Sequence, residues 1–71
     1  MSIEIGSLCK LKSYYGDETH PSCKPFILTQ IISCPNITFG GTVPVFKYIG
    51  YNIEGTQVNV MISENYVEVL V

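Results

Sequence analysis

Four side chains in this sequence have the chemistry of zinc ligands, three of them thiols and one an imidazole. They are Cys9, His20, Cys23 and Cys34, with the spacing Cys-x10-His-x2-Cys-x10-Cys. A structural zinc uses four such ligands. Zinc motifs usually contain two cysteines with two residues between them, and no such pair is present here. Free cysteine is also among the most buried residue types, and Cys9 falls on the apolar face of a predicted strand. We therefore expect no bound zinc and no other cofactor. If elemental analysis found zinc, these four residues would be the first ligands to test.

Covalent catalysis has little support in the sequence. Cys23 and His20 have the residue types of a nucleophile and its base, but groups three positions apart in one loop seldom form a rigid pair. There is no evident third residue to orient the base, and no glycine-rich phosphate loop. The odd number of cysteines and the absence of a signal peptide also argue against a disulfide between Cys23 and Cys34. The sequence predicts a binding protein and not an enzyme.

The best candidate binding cluster lies in a polar segment at residues 13–24, where Tyr14 and Tyr15 precede Asp17 and Glu18. A loop of about a dozen residues is long for so small a chain, and loops of that length are usually functional or disordered. Adjacent tyrosines offer rigid contact area at low entropic cost. The alternative is that one tyrosine caps the open end of the core and that the two acids are merely solvated.

Two further tyrosines, Tyr48 and Tyr66, are also candidates for the binding surface. They lie on or beside predicted strands, where packing with a hydrogen-bonded hydroxyl is the favoured role. Tyr51 has a similar position.

The charge of the chain disfavours nucleic acid as a partner. The net charge is −2, with four lysines and no arginine, whereas nucleic-acid binders normally carry a basic stripe that neutralises phosphates. The first six residues contain no basic or apolar run typical of a signal peptide, and no stretch approaches the ~20 apolar residues of a membrane span. We therefore expect a cytoplasmic protein without membrane contact.

The composition predicts an all-β fold in one domain covering residues 1–71. Isoleucine, valine, threonine, tyrosine and phenylalanine supply 29 of 71 residues, and alanine is absent; these abundant types favour strands. Alternation and turn residues predict strands at 3–12, 26–33, 43–51, 57–62 and 66–71, a turn at 35–42 and a 3₁₀ turn at 63–65. Pro44 fits only a strand start or an edge. Parity within the strands predicts these nearly fully buried residues: Leu11, Leu28, Ile31, Val58, Val60, Ile62 and Val67.

Residues 62–70, Ile-Ser-Glu-Asn-Tyr-Val-Glu-Val-Leu, resemble the end of SH3 domains, whose pattern is apolar-Pro-Ser-Asn-Tyr-Val-Glu. Tyr14-Tyr15 followed by Asp17-Glu18 resembles the RT loop of that family, and residues 5–13 resemble the first strand of small bacterial and phage SH3-like proteins. The chain departs from the family pattern because it lacks the paired tryptophans, near whose place Val45 and Phe46 stand, and has Ser63 in place of proline. The resemblance implies a five-stranded SH3-like barrel with one 3₁₀ turn before the last strand. It also implies tyrosines that line a groove for proline-rich ligands and loop acids that select a basic ligand residue.

These observations favour a small protein–protein interaction module, an accessory or inhibitor protein of a bacterium or phage that binds a host factor. A first alternative is a single-stranded nucleic-acid binder that uses Lys10, Lys12 and Lys24 with tyrosine stacking. A second is a structural subunit of a homo-oligomer that pairs through an exposed strand such as the one at Pro44. Affinity for nucleic acid would fall steeply with salt, whereas an aromatic interface would be much less sensitive.

Overall fold

The computed structural model describes residues 3–39 and 41–70 of the chain. It contains five strands and two short 3₁₀ turns, and no helix among these residues is long and apolar enough to cross a membrane. The elements are β1 (Leu8–Leu11), η1 (Pro21–Cys23), β2 (Phe26–Phe39), β3 (Val43–Asn52), β4 (Gln57–Ile62), η2 (Glu64–Tyr66) and β5 (Val67–Val69). The prediction of an all-β chain with five strands is confirmed.

All five strands form one antiparallel sheet in the order β4-β3-β2-β1-β5. The sheet is not closed, because β4 and β5 occupy its two edges and no ladder joins them within the described residues. A small barrel is therefore not confirmed. Pairing of β5 with β1 brings the two ends of the described chain together near one edge of the sheet.

The long segment between β1 and β2 packs against the core face of this sheet. Its 3₁₀ turn η1 packs against both β1 and β4, which are not neighbours in the sheet. Within the same segment, the Tyr15 hydroxyl donates a hydrogen bond of 2.6 Å to the carbonyl oxygen of Met61 in β4. Proteins commonly protect an edge strand by laying a loop against it, and that is the position this segment takes.

The predicted bounds hold best around β4, whereas the last strand, predicted at 66–71, is formed only by Val67–Val69 within the described residues. The fourth strand lies at the predicted positions, and the 3₁₀ turn begins one residue later than expected because Ser63 serves as its N-cap, accepting a hydrogen bond from the Asn65 N–H. The first strand is shorter than predicted and begins only after Gly6, whose φ of 92° breaks the extended conformation.

The predicted turn at 35–42 is wrong for residues 35–39, because β2 continues through Phe39. The register between β2 and β3 shifts between Cys34 and Thr38, which places Pro35 in an irregular stretch where no ladder hydrogen bond is required of it. Pro44 is confirmed at a strand start, in the part of β3 that precedes the pairing with β4 at Phe46.

The core lies on one face of the sheet. Five of the seven residues predicted to be buried are at most 2% exposed: Leu11, Leu28, Val58, Val60 and Ile62. The prediction is wrong for Ile31 and Val67, which are only partly buried against the core. Ile31 follows a register shift in β2, and Val67 lies in the short edge strand β5. Cys9, Phe26 and Tyr48 complete the core cluster.

Gly50 lies at the centre of the core face, between Leu28 of β2 and Val58 of β4. A Cβ atom at this position would overlap the backbone carbonyl of Ile27 and come within 3.1 Å of the Phe26 ring. The backbone of β2 is therefore close to β3 at this point, and the Ile27 carbonyl, with the Phe26 ring beside it, occupies the space that a side chain would need.

We predict that Gly50→Ala destabilises the protein by about 1–3 kcal/mol or more, since the obstacle is backbone and cannot move aside without breaking strand pairing. Equilibrium unfolding in urea measures the effect, with Gln57→Ala, an exposed change in the neighbouring strand, as the control. Equal unfolding midpoints for Gly50→Ala and the wild type would show that the two strands have room to separate.

Candidate functional site

The candidate loop contains a tight two-residue turn at residues 14–17, named here the tyrosine turn. Tyr14 and Asp17 exchange two backbone hydrogen bonds, each of 3.0 Å. The two residues between them, Tyr15 and Gly16, have φ values of 51° and 86°, the positive φ angles of a type I′ turn. Positive φ is uncommon for a bulky residue and costs free energy, so the bond from the Tyr15 hydroxyl to Met61 stabilises an otherwise unfavourable conformation.

The two tyrosines of this turn have different environments. Tyr14 is partly buried, packs against the core, and places its ring 4.5 Å from that of His20. Tyr15 is 57% exposed and meets the Tyr14 ring edge-on at 4.8 Å. Tyr14 therefore has the position of a core cap. Tyr15 presents an aromatic surface whose position is fixed by the Tyr14 ring and by the hydrogen bond from its hydroxyl to Met61.

The acids beside the turn leave a negative charge on this surface. Asp17 accepts hydrogen bonds from the Thr19 hydroxyl at 2.6 Å and the Thr19 N–H at 2.8 Å, and these bonds hold the pKa of its carboxyl below its usual value. Glu18 is exposed. The one ion pair among the described residues joins Lys10 and Glu68, so no lysine of that part of the chain neutralises Asp17 or Glu18.

His20 and Ser22, the next residues of the loop, form the N-terminal cap of η1. The His20 imidazole accepts a hydrogen bond from the Ser22 N–H at the start of η1, and its Nδ1 lies 2.7 Å from the Ser22 hydroxyl oxygen. Ser22 is 0% exposed, so its hydroxyl cannot reach a substrate. Cys23 donates its thiol hydrogen to the Asp17 carbonyl at 3.4 Å, and partial burial raises the pKa of that thiol.

The four candidate metal ligands are distributed over β1, β2, and η1 with its N-cap. Cys9 is fully buried in β1, where burial raises the pKa of its thiol, and Cys34 is partly buried in β2. His20 is the N-cap of η1, and Cys23 is its last residue. Within residues 3–39 and 41–70, no group of three or more histidine, cysteine, aspartate or glutamate side chains is arranged to hold a metal ion.

Tyr48 and Tyr66, the other two candidate binding residues, pack against the rest of the protein. Tyr48 is 1% exposed in the centre of the core, so its ring offers almost no surface to a partner. Tyr66 is partly buried against the core, and its carbonyl accepts a hydrogen bond of 2.8 Å from the Lys12 N–H. A contact of either residue with a partner stays a prediction.

The structure shows two further surface features. A pair of adjoining cavities, of about 340 and 250 Å³, shares Ile3 and Glu64 as lining residues. On the opposite face of the sheet from the core, Ile27 and Tyr51 are direct cross-strand neighbours and are 43% and 48% exposed. Strand alternation gives the face of Ile27 and Tyr51, but the walls of the cavities come from segments far apart in sequence and have no local signal.

Comparison of the chain with protein-family models, with curated proteins and with solved structures finds no significant match. The function is therefore argued below from the geometry of the chain's own residues.

The pH dependence of stability should reflect Tyr48. Burial, followed by the nearby Glu64 carboxylate and the Cys9 thiol, raises the pKa of Tyr48 to about 12 from an ordinary value of 10.0. Between these two pH values the folded protein retains a proton that the unfolded chain has released, so the free energy of unfolding should decline as pH rises from about 10 to about 12.

Phenolate absorbance measured against pH tests this assignment. In Tyr48→Phe the component that titrates at the highest pH should be missing, and in Tyr51→Phe, which changes an exposed ring, that component should remain. A highest-pH component that survives in Tyr48→Phe would assign it to another tyrosine.

Proposed function

We propose that this chain is a protein–protein interaction module with an SH3-like architecture and that the tyrosine turn, with Glu18, is its contact surface. One observation carries the proposal. The turn holds a largely exposed aromatic ring in a fixed conformation directly beside carboxylates that no lysine of the described residues neutralises.

The rigidity of the turn favours binding because little freedom remains to be lost. Two backbone hydrogen bonds close the turn, and the Tyr15 hydroxyl is anchored on Met61. Immobilising a flexible side chain on association costs roughly 0.5–1.5 kcal/mol, and an anchored tyrosine avoids most of that cost. Tyrosine is also among the residue types enriched at the energetically dominant positions of interfaces.

The acids of the turn indicate the chemistry of the partner. Asp17 and Glu18 favour a partner surface with basic side chains around an apolar contact for Tyr15. The order of elements supports the SH3-like architecture: a strand, a long loop with tyrosines and acids, three consecutive antiparallel strands, a 3₁₀ turn and a short last strand. The resemblance of residues 5–13 to bacterial and phage SH3-like proteins supports an accessory or inhibitor protein that acts on a host factor.

Tyr15 substitutions test the proposal once a partner has been isolated by affinity capture from the native host. We expect Tyr15→Ala to weaken binding to the purified partner by roughly 30-fold, the equivalent of about 2 kcal/mol at an interface hot spot. Tyr15→Phe keeps the ring but loses the hydrogen bond to Met61, so it should lower the melting temperature and retain most of the affinity per folded molecule. Titration calorimetry and thermal unfolding measure the two effects separately.

The acids and an exposed tyrosine elsewhere supply the controls. The double change Asp17→Asn/Glu18→Gln should slow association and reduce its dependence on salt. Tyr51→Ala removes an exposed ring from the sheet and should leave affinity unchanged. If Tyr51→Ala abolishes binding while Tyr15→Ala only lowers the melting temperature, the tyrosine turn is structural and the contact surface is the sheet around Tyr51 and Ile27.

A further inference from the structure

We propose that a second surface of this protein, a groove beside η2, binds an arginine side chain of a partner polypeptide. It is named here the Glu64 groove and consists of the two adjoining cavities that share Ile3 and Glu64. None of the residues of the tyrosine turn lines either cavity. The Glu64 groove therefore goes beyond the function proposed above and stands or falls independently of it.

The first cavity has an apolar floor and one acidic wall. Its volume is about 250 Å³, and it is lined by Ile31 of β2, by Phe46 and Tyr48 of β3, and by Glu64. The Phe46 and Tyr48 rings lie 6.3 Å apart, with Phe46 partly exposed and Tyr48 buried. A ligand group in this cavity would contact the Phe46 ring and the Ile31 side chain with the Glu64 carboxylate at its edge.

The second cavity extends the groove along η2 and β5 and adds a second carboxylate. Its volume is about 340 Å³, and its lining includes Asn65, Val67 and Glu68. Glu68 lies 3.9 Å from Lys10, the one ion pair among the described residues. Glu64 is exposed and has no such partner there, so the negative charge at the junction of the two cavities is not neutralised.

The charge and the apolar floor of the groove indicate a basic side chain as its occupant. A phosphate or a carboxylate ligand would be repelled by Glu64 and Glu68. A cation on an apolar stem fits both the floor and the wall.

Arginine matches this combination better than lysine. A guanidinium is planar, stacks on an aromatic ring such as Phe46, and can donate two parallel hydrogen bonds to a carboxylate such as Glu64. Its three methylene groups can cover the apolar floor while the charged end remains at the edge. The chain itself contains no arginine, so the occupant must belong to a different polypeptide and not to a second copy.

A short peptide titration tests the proposal on the intact chain. The probe is acetyl-Leu-Arg-Leu-amide, and its control replaces arginine by citrulline, which has nearly the same shape without the charge. Amide chemical shifts followed by NMR should change at Phe46, Glu64 and Val67 with the arginine peptide. The citrulline peptide should bind more weakly than the arginine peptide. A peptide with lysine in place of arginine should have an intermediate affinity.

Matched glutamate variants locate the interaction. Glu64→Gln should weaken binding of the arginine peptide by about 2- to 5-fold, the range expected for one exposed charge pair. Glu54→Gln, the same change at an exposed position in the β3–β4 turn, should leave the affinity unchanged. Tyr15→Ala should also bind the peptide with wild-type affinity, so failure of the tyrosine turn as a contact surface would not be mistaken for failure of the groove.

Three results would overturn the proposal. The first is equal affinity for the arginine and citrulline peptides, and the second is an equal loss in Glu64→Gln and Glu54→Gln. The third is a shift of the groove amides with protein concentration alone, which would identify a second copy as the occupant.

Discussion

An open sheet of five strands leaves β4 with unpaired backbone groups along one side and leaves the inner face of the sheet uncovered. The segment between β1 and β2 addresses both, because η1 packs on β1 and β4 together and the Tyr15 hydroxyl binds the Met61 carbonyl. Ser22, at the centre of η1, is completely buried and is held by His20. In a chain of 71 residues, where a single core buries only roughly 60% of the unfolded surface, this cover adds buried contacts that the sheet alone would lack.

The same contact shapes the candidate site. Tyr15 has a positive φ that a bulky residue adopts only when neighbouring structure stabilises it, and its hydrogen bond to β4 provides that stabilisation. The ring is therefore exposed as a consequence of how the loop is fixed to the sheet. The hydroxyl of Tyr15 fixes the loop to the sheet, and in the proposed function its ring makes the contact, so the variant that retains the ring and the variant that removes it report on different properties.

Local alternation was enough to predict β4, its three inward residues and the 3₁₀ turn that follows it, since each of these depends on neighbours in sequence. The continuation of β2 past Pro35 depends on the long partner strand β3, which tolerates two register shifts, and a proline in isolation indicates a turn. Composition was enough to locate the loop that contains the tyrosine turn. That Tyr14 is a core cap and Tyr15 an exposed ring depends on contacts with His20 and β4, which are not evident from the loop sequence. The Glu64 groove could not be predicted, because Ile3, Ile31, Phe46 and Glu64 come from four separate segments.

Both candidate surfaces are acidic, yet the net charge of the whole chain is only −2, so long-range steering of a partner is weak. At physiological salt the interaction between exposed charges is largely screened beyond about 8 Å, so the carboxylates accelerate association only over that short range. In both proposals the carboxylates set the orientation and the sign of the partner surface, and the apolar contacts of Tyr15 and Phe46 are expected to supply the affinity. A partner with basic side chains set among apolar ones satisfies both requirements, whereas the phosphates of a nucleic acid would be repelled by Asp17, Glu18 and Glu64.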